Sequence, residues 1–177
     1  MRTKYKNQYL SKNITNYLKI RKITPVIICI GSDRVIGDCL GPLVGELLTN
    51  KYNVKCFVYG TLSTPITALN LISTINFIKN NHALQPIIAI DSCIGKIEEV
   101  GNIKVLPHGL FPGSASGKKL PLVGDISITA NVSHSESLLS TLNLGFVYSL
   151  ANNIASEVAT SINELSSSLY NQYIVKI

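Results

Sequence analysis

The chain has 177 residues, a length that fits one domain able to bury roughly 70% of its unfolded surface without disulfide or metal staples. Hydrophobic residues make up 46% and charged residues 15%, which excludes disorder driven by excess charge. The net charge of +6 is unevenly placed, because seven of the sixteen basic side chains lie in residues 1–22, which hold no acid, and the other nine stand against all ten acids.

Within residues 1–22, Tyr9, Leu10, Ile14, Tyr17 and Leu18 recur at helical spacing, so the segment reads as a basic, amphipathic N-terminal arm on a nearly neutral body. The arm is expected to be solvated and dispensable to the folding of residues 23–177. It lacks the interleaved aromatics and Gly-rich loops of a nucleic-acid module, so nucleic acid is not an expected partner. No apolar run approaches the roughly 18 residues of a membrane span, and the first 22 residues do not resemble a secretory leader. The expected compartment is therefore the cytoplasm. Cys29, Cys39, Cys56 and Cys93 form no CxxC pair, which suits reduced thiols rather than a zinc knuckle or a disulfide framework.

From Pro25 onward, short apolar runs alternate with helical patterns. Val26–Ile30 reads as a strand buried on both faces, and Pro42–Asn50 as a helix with Pro in its first turn. Val54–Tyr59 follows as a strand. Ser63 or Thr64 then caps a predicted helix from Pro65, with Leu69, Ile72, Ile75 and Ile78 along one side. Ile87–Ile90 is predicted as a strand ending on Asp91, Ile103–Leu106 and Ile126–Val132 as two more strands, and a helix from about Phe146 to Leu169 closes the chain. This alternation predicts a single α/β domain, a three-layer α/β/α sandwich with a mostly parallel central sheet. The Gly-, Pro- and Ser-rich stretch His108–Gly124 is too long for an idle connection and reads as a functional loop.

The chain holds four aspartates, Asp33, Asp38, Asp91 and Asp125. Open parallel sheets bind ligands beyond the carboxyl ends of their strands, where strand order reverses. With a strand order of 2-1-3, Asp38 and Asp91 would face each other across that crevice. Two close carboxylates do not ionise together easily, so one keeps a proton and the pair becomes an acid and a base able to activate water against an amide. Ordinary roles exist as well: Asp38 as a helix cap, Asp33 in an Asx turn around Ser32–Arg34, Asp91 as a strand end. Asp125 begins a strand and belongs to the opposite edge.

Cys39 and Cys93 sit beside the two aspartates and could act as a nucleophile or as soft ligands, although free cysteine is most often buried and inert. His108 follows a strand and could reach the crevice, and His134 holds a similar position. An Asp/Asp/His set could bind a divalent ion, but no resident metal or cofactor is assigned. Gly113–Lys119 is one residue short of a phosphate loop, and Gly31–Gly37 lacks dinucleotide-binding glycine spacing.

Three segments together carry a resemblance: Ile30-Gly-Ser-Asp-Arg-Val-Ile-Gly-Asp-Cys-Leu-Gly-Pro42, Ile88-Ala-Ile-Asp-Ser-Cys-Ile-Gly95 and Gly109-Leu-Phe-Pro-Gly-Ser-Ala-Ser-Gly117. They resemble the spore proteases of the YyaC type, sporulation proteins related to the germination protease that degrades small acid-soluble spore proteins. A more distant likeness is to hydrogenase maturation endopeptidases, which share the α/β/α sandwich. The resemblance implies a sporulation-associated endopeptidase of the forespore or mother cell, with Asp38 and Asp91 as its catalytic pair. It implies supporting or substrate-binding roles for Asp33, Gly113, Ser114 and Gly117, and His108 is expected to join them from its place after a strand. The protein or peptide substrate would be a small acid-soluble spore protein. The alternative is a non-catalytic sporulation protein that uses the same crevice to hold a peptide or partner.

Overall fold

Val26–Cys29 (β1) has four buried side chains, as expected for an apolar strand at the centre of a sheet. The computed structural model describes residues 12–18, 23–113 and 120–174, with side chains to residue 168. β1 pairs in parallel with Phe57–Tyr59 (β2) on one side and with Ile87–Ile94 (β3) on the other. Ile103–Leu106 (β4) runs antiparallel to Ile126–Ser133 (β5), and β5 is parallel to β3, which gives the order β2-β1-β3-β5-β4. The domain is thus a five-stranded, mostly parallel sheet covered by helices on both faces.

Strand alternation divides the core into two layers. Ile27, Cys29, Ile88 and Ile90 pack in the larger cluster with Leu40–Glu46 (α2) and Leu144–Ile174 (α4). Val26, Ile28 and Ala89 face the opposite way, against Leu71–Asn81 (α3) and the Leu110 and Val123 bridge.

The helix over residues 12–18 (α1) does not stand free. Ile14 and Leu18 are fully buried in the larger cluster, so this part of the basic segment is tied to the body; the remainder of residues 1–22 lies outside the described residues. The polar face expected of a solvated arm is confined here to positions such as Lys12, Asn13 and Asn16.

Other elements depart from the sequence pattern. α3 starts at Leu71 rather than Pro65, because Ile66 is drawn into a parallel bridge with Ile30 and the Asn70 side chain closes the intervening turn. Its Oδ1 accepts from Thr67 N at 2.8 Å, and its Nδ2 donates to the Pro65 carbonyl at 3.1 Å. Leu69 is consequently 99% exposed and Ile72 is also exposed, while Leu71, Ile75 and Ile78 form the buried side. α2 begins at Leu40, and its last turn widens over Leu47–Lys51. β3 does not end on Asp91 but continues to Ile94.

Truncating a fully buried leucine leaves a cavity as well as losing transfer free energy. Leu18→Ala is expected to destabilise the protein by about 2–5 kcal/mol in denaturant titration, whereas Asn16→Ala, at an exposed position of the same helix, should stay within about 0.5 kcal/mol.

Candidate active site

The ladder between β1 and β3 ends at the bond from Ile30 N to the Ile90 carbonyl, 2.8 Å long. β3 runs on beside β5, so Asp91, paired with Thr129, is its first residue past the end of β1. Asp91 is 8% exposed, and its Oδ1 accepts from Ser92 N at 2.8 Å.

Asp38 arrives from the other side of this gap. The chain leaves β1 at Gly31 and closes a 3-10 turn, Ile36–Cys39, in which Asp38 N and Cys39 N both donate to the Val35 carbonyl. Ser32 N donates back to the Asp38 carbonyl at 3.1 Å. Two glycines permit this close return. A Cβ on Gly31, which has φ +145°, would run into the Asp38 carbonyl, and one on Gly41 would run into the Ile30 carbonyl. Asp38 is not the side-chain cap of α2, and the turn around Arg34 is closed by the Ser32 hydroxyl rather than by Asp33.

Asp38 and Asp91 border two cavities, of about 1060 Å³ and about 950 Å³, which share Val35, Asp38, Asp91 and Gly113. The carboxyls therefore stand at the waist of a two-lobed groove. Asp33, Arg34, Tyr59 and the Thr64–Asn70 turn line the first lobe. Cys93, Leu106, His108, Phe111 and Leu139 line the second.

Burial pushes the Asp91 carboxyl well above the usual aspartate range, and the negative charge of Asp38 pushes it further; the Ser92 N–H offsets part of the rise. Asp91 therefore keeps its proton where an ordinary aspartate has lost it. Burial also raises the Cys39 and Cys93 thiols, with contributions from the nearby carboxylates, which is opposite to the activation a nucleophilic cysteine needs. Cys39 belongs to the core and donates to the Ile36 carbonyl, whereas Cys93 faces the second lobe.

The groove brings together Asp33, Asp38, Asp91, His108 and Gly113, while Ser114 and Gly117 lie outside the described residues. Asp33 is exposed on the first lobe, and His108 lies on the second with its Nδ1 2.8 Å from the Gly109 carbonyl oxygen. Asp125 is at the other end of the sheet, where its Oδ2 accepts from Ile87 N. Among the described residues, no three His, Cys, Asp or Glu side chains are grouped to hold a metal ion. None of the described helices is long and apolar enough to cross a membrane. The sequence pattern missed Arg34, the Thr64–Asn70 turn and the 3-10 stretch Glu136–Thr141, whose Glu136, Ser137 and Leu139 line the second lobe. The last of these could have been found by the rule that selected the Asp38 loop, since it follows the carboxyl end of a parallel strand.

A family model described as "Protein of unknown function (DUF1256)" matches residues 2–157, and the chain belongs to that family. It is 40% identical over 134 residues to a protein of Bacillus subtilis (strain 168) described as "Uncharacterized protein YyaC"; the match covers 73% of this chain and 65% of that protein's length. Among solved structures it is similar to the [NiFe] hydrogenase maturation protease HycI from Thermococcus kodakarensis KOD1, with a TM-score of 0.45 and 19% identity over 79% of this chain and 93% of that one.

Because folded Asp91 holds a proton that the unfolded chain has released, raising the pH above the ordinary aspartate range favours unfolding. Asp91→Asn keeps an oxygen for Ser92 N and removes this penalty. The variant should match the parent in stability below about pH 4 and gain on it above, by up to about 1.4 kcal/mol per pH unit. Denaturant midpoints of both proteins across pH check the sign; a variant that loses ground as the pH rises would show that Asp91 is held ionised.

Proposed function

We propose that this member of the DUF1256 family is an endopeptidase in which Asp38 and Asp91 act as a general base and a general acid. The observation that carries the reading is the pairing, at the waist of one groove, of a buried carboxyl that retains its proton with a second, half-buried carboxyl. In this mechanism a water between the two gives a proton to Asp38 as its oxygen attacks the peptide carbonyl carbon. The tetrahedral intermediate then breaks its C–N bond while Asp91 delivers its proton to the departing nitrogen. The products are a carboxylic acid and an amine, the acid passing its proton to the amine to leave a carboxylate and an ammonium, and the proton on Asp38 returns through solvent to Asp91 to reset the pair. Gly113, which lines both lobes beside the carboxyls, would border the developing oxyanion.

The motif resemblance supports a small acid-soluble spore protein as substrate, and with it a cytoplasmic role in the forespore or mother cell of a spore-forming bacterium. Lobes on both sides of the carboxyls favour cutting within a chain over trimming its end. Purified protein mixed with a small acid-soluble spore protein should yield fragments by intact mass. Asp38→Asn and Asp91→Asn should each lower the rate by about 10²–10⁴-fold, the usual contribution of a positioned acid or base, with circular dichroism unchanged. Undiminished cleavage by either variant would remove that carboxyl from the mechanism, and an intact substrate with the parent protein would remove the substrate assignment.

A further inference from the structure

β3 continues to Ile94 after β1 has left the sheet, and this exposes a short strand edge inside the second lobe. Ile90 directs its carbonyl toward β1, while Gly95 N donates toward β5, to the Ser133 carbonyl. By alternation, Ser92 and Ile94 turn their backbone groups to the side that β1 has vacated. The Ser92 N–H is already committed to Asp91 Oδ1, which leaves, among the described residues, the Ser92 carbonyl and the Ile94 N–H as an acceptor and a donor one residue apart on either side of Cys93. Ser92, Cys93 and Ile94 are half-buried and line the lobe directly beside Asp91.

We propose that this edge binds the main chain of an extended polypeptide as an added, parallel strand in the place β1 gives up. The inference rests on the peptidase reading above and names what its groove recognises. The pattern of free groups selects the direction. In a parallel ladder one residue donates to the residue before its partner and accepts from the residue after it, so a peptide residue opposite Cys93 uses both the Ser92 carbonyl and the Ile94 N–H. Antiparallel pairing on Ser92 would need the N–H that Asp91 already holds. Parallel growth places the peptide residue two before it opposite Asp91, so the anchored residue lies on the C-terminal side of the bond the carboxyls face. Paired residues project to the same face of a sheet, which sets the anchored side chain beside Cys93, toward the face of Leu106 and the lobe's Phe111. This leaves the affinity to backbone bonds and the selectivity to one apolar position.

The test uses the full chain as Asp91→Asn, which slows turnover, and a mixture of random-sequence decapeptides as the probe. Amide hydrogen exchange is read residue by residue. At saturating peptide, exchange at Ile94 N–H should slow by about tenfold, the factor that 1.4 kcal/mol of protection gives, while a matching mixture N-methylated at every residue should leave it unchanged. Ile94 exchange that ignores the peptides, or that slows equally with the N-methylated mixture, would overturn the added strand. The parent protein separates the two readings. Cleavage of the plain mixture without protection at Ile94 would leave the peptidase standing and remove the strand. Protection at Ile94 without cleavage by the parent would retain the strand and remove the peptidase.

Discussion

The chain turns out of the sheet at Gly31, while β3 continues straight past it. Had β1 extended by two more pairs, Ile30 and Gly31 would have stood opposite Asp91 and Ser92 and filled the space that the cavities now occupy. With φ at +145° and the Asp38 carbonyl where a Cβ would be, position 31 tolerates no side chain without moving the Asp38 turn. One backbone departure thus creates the gap, brings Asp38 to its rim and uncovers the edge of β3. Gly41 fixes the return from the other end, because α2 must begin directly against Ile30.

The electrostatics of the pair follow from this placement. Asp91 lies between a sheet that desolvates it and a gap that admits a second carboxylate, and both conditions favour its neutral form. The hydrogen bond from Ser92 N opposes them but also fixes the orientation of Oδ1. The two thiols near the site receive the same treatment with the opposite chemical consequence. Desolvation that keeps a proton on Asp91 gives an acid ready to donate, but a proton kept on Cys93 removes the nucleophile. The environment therefore favours proton transfer between carboxyls over attack by sulfur.

Much of the framework was legible in the sequence because buried parallel strands are written as unbroken apolar runs. Ile103–Leu106 has the bounds the pattern predicted, and the position of Asp38 and Asp91 near the carboxyl edge follows from the order of the elements. What escaped was decided by tertiary contacts. The turn at Pro65–Asn70 carries helix-compatible residues, but burying Ile66 against Ile30 outweighs that local preference. Ser92–Ile94 reads as a loop after an aspartate, and it remains a strand because β5 pairs with it to the end. Ile14 and Leu18 look like the apolar stripe of a solvated helix in any sequence whose partner surface is unknown; here the larger core cluster provides that surface.

The buried carboxyl also weighs between catalysis and mere binding. A groove that only holds a charged partner gains from an ionised aspartate near water, where its charge can pair and its hydration is kept. Sinking Asp91 into the sheet gives up that charge and costs stability at neutral pH. Asparagine would fill the same space, accept the same bond from Ser92 N and carry no such cost. A protonated acid differs from asparagine here in being able to lose its proton to a bound group, and that property is useful where a bond is broken. The strand edge beside it then has a clear part, since main-chain bonds at Ser92 and Ile94 would hold a peptide linkage at the depth of that proton.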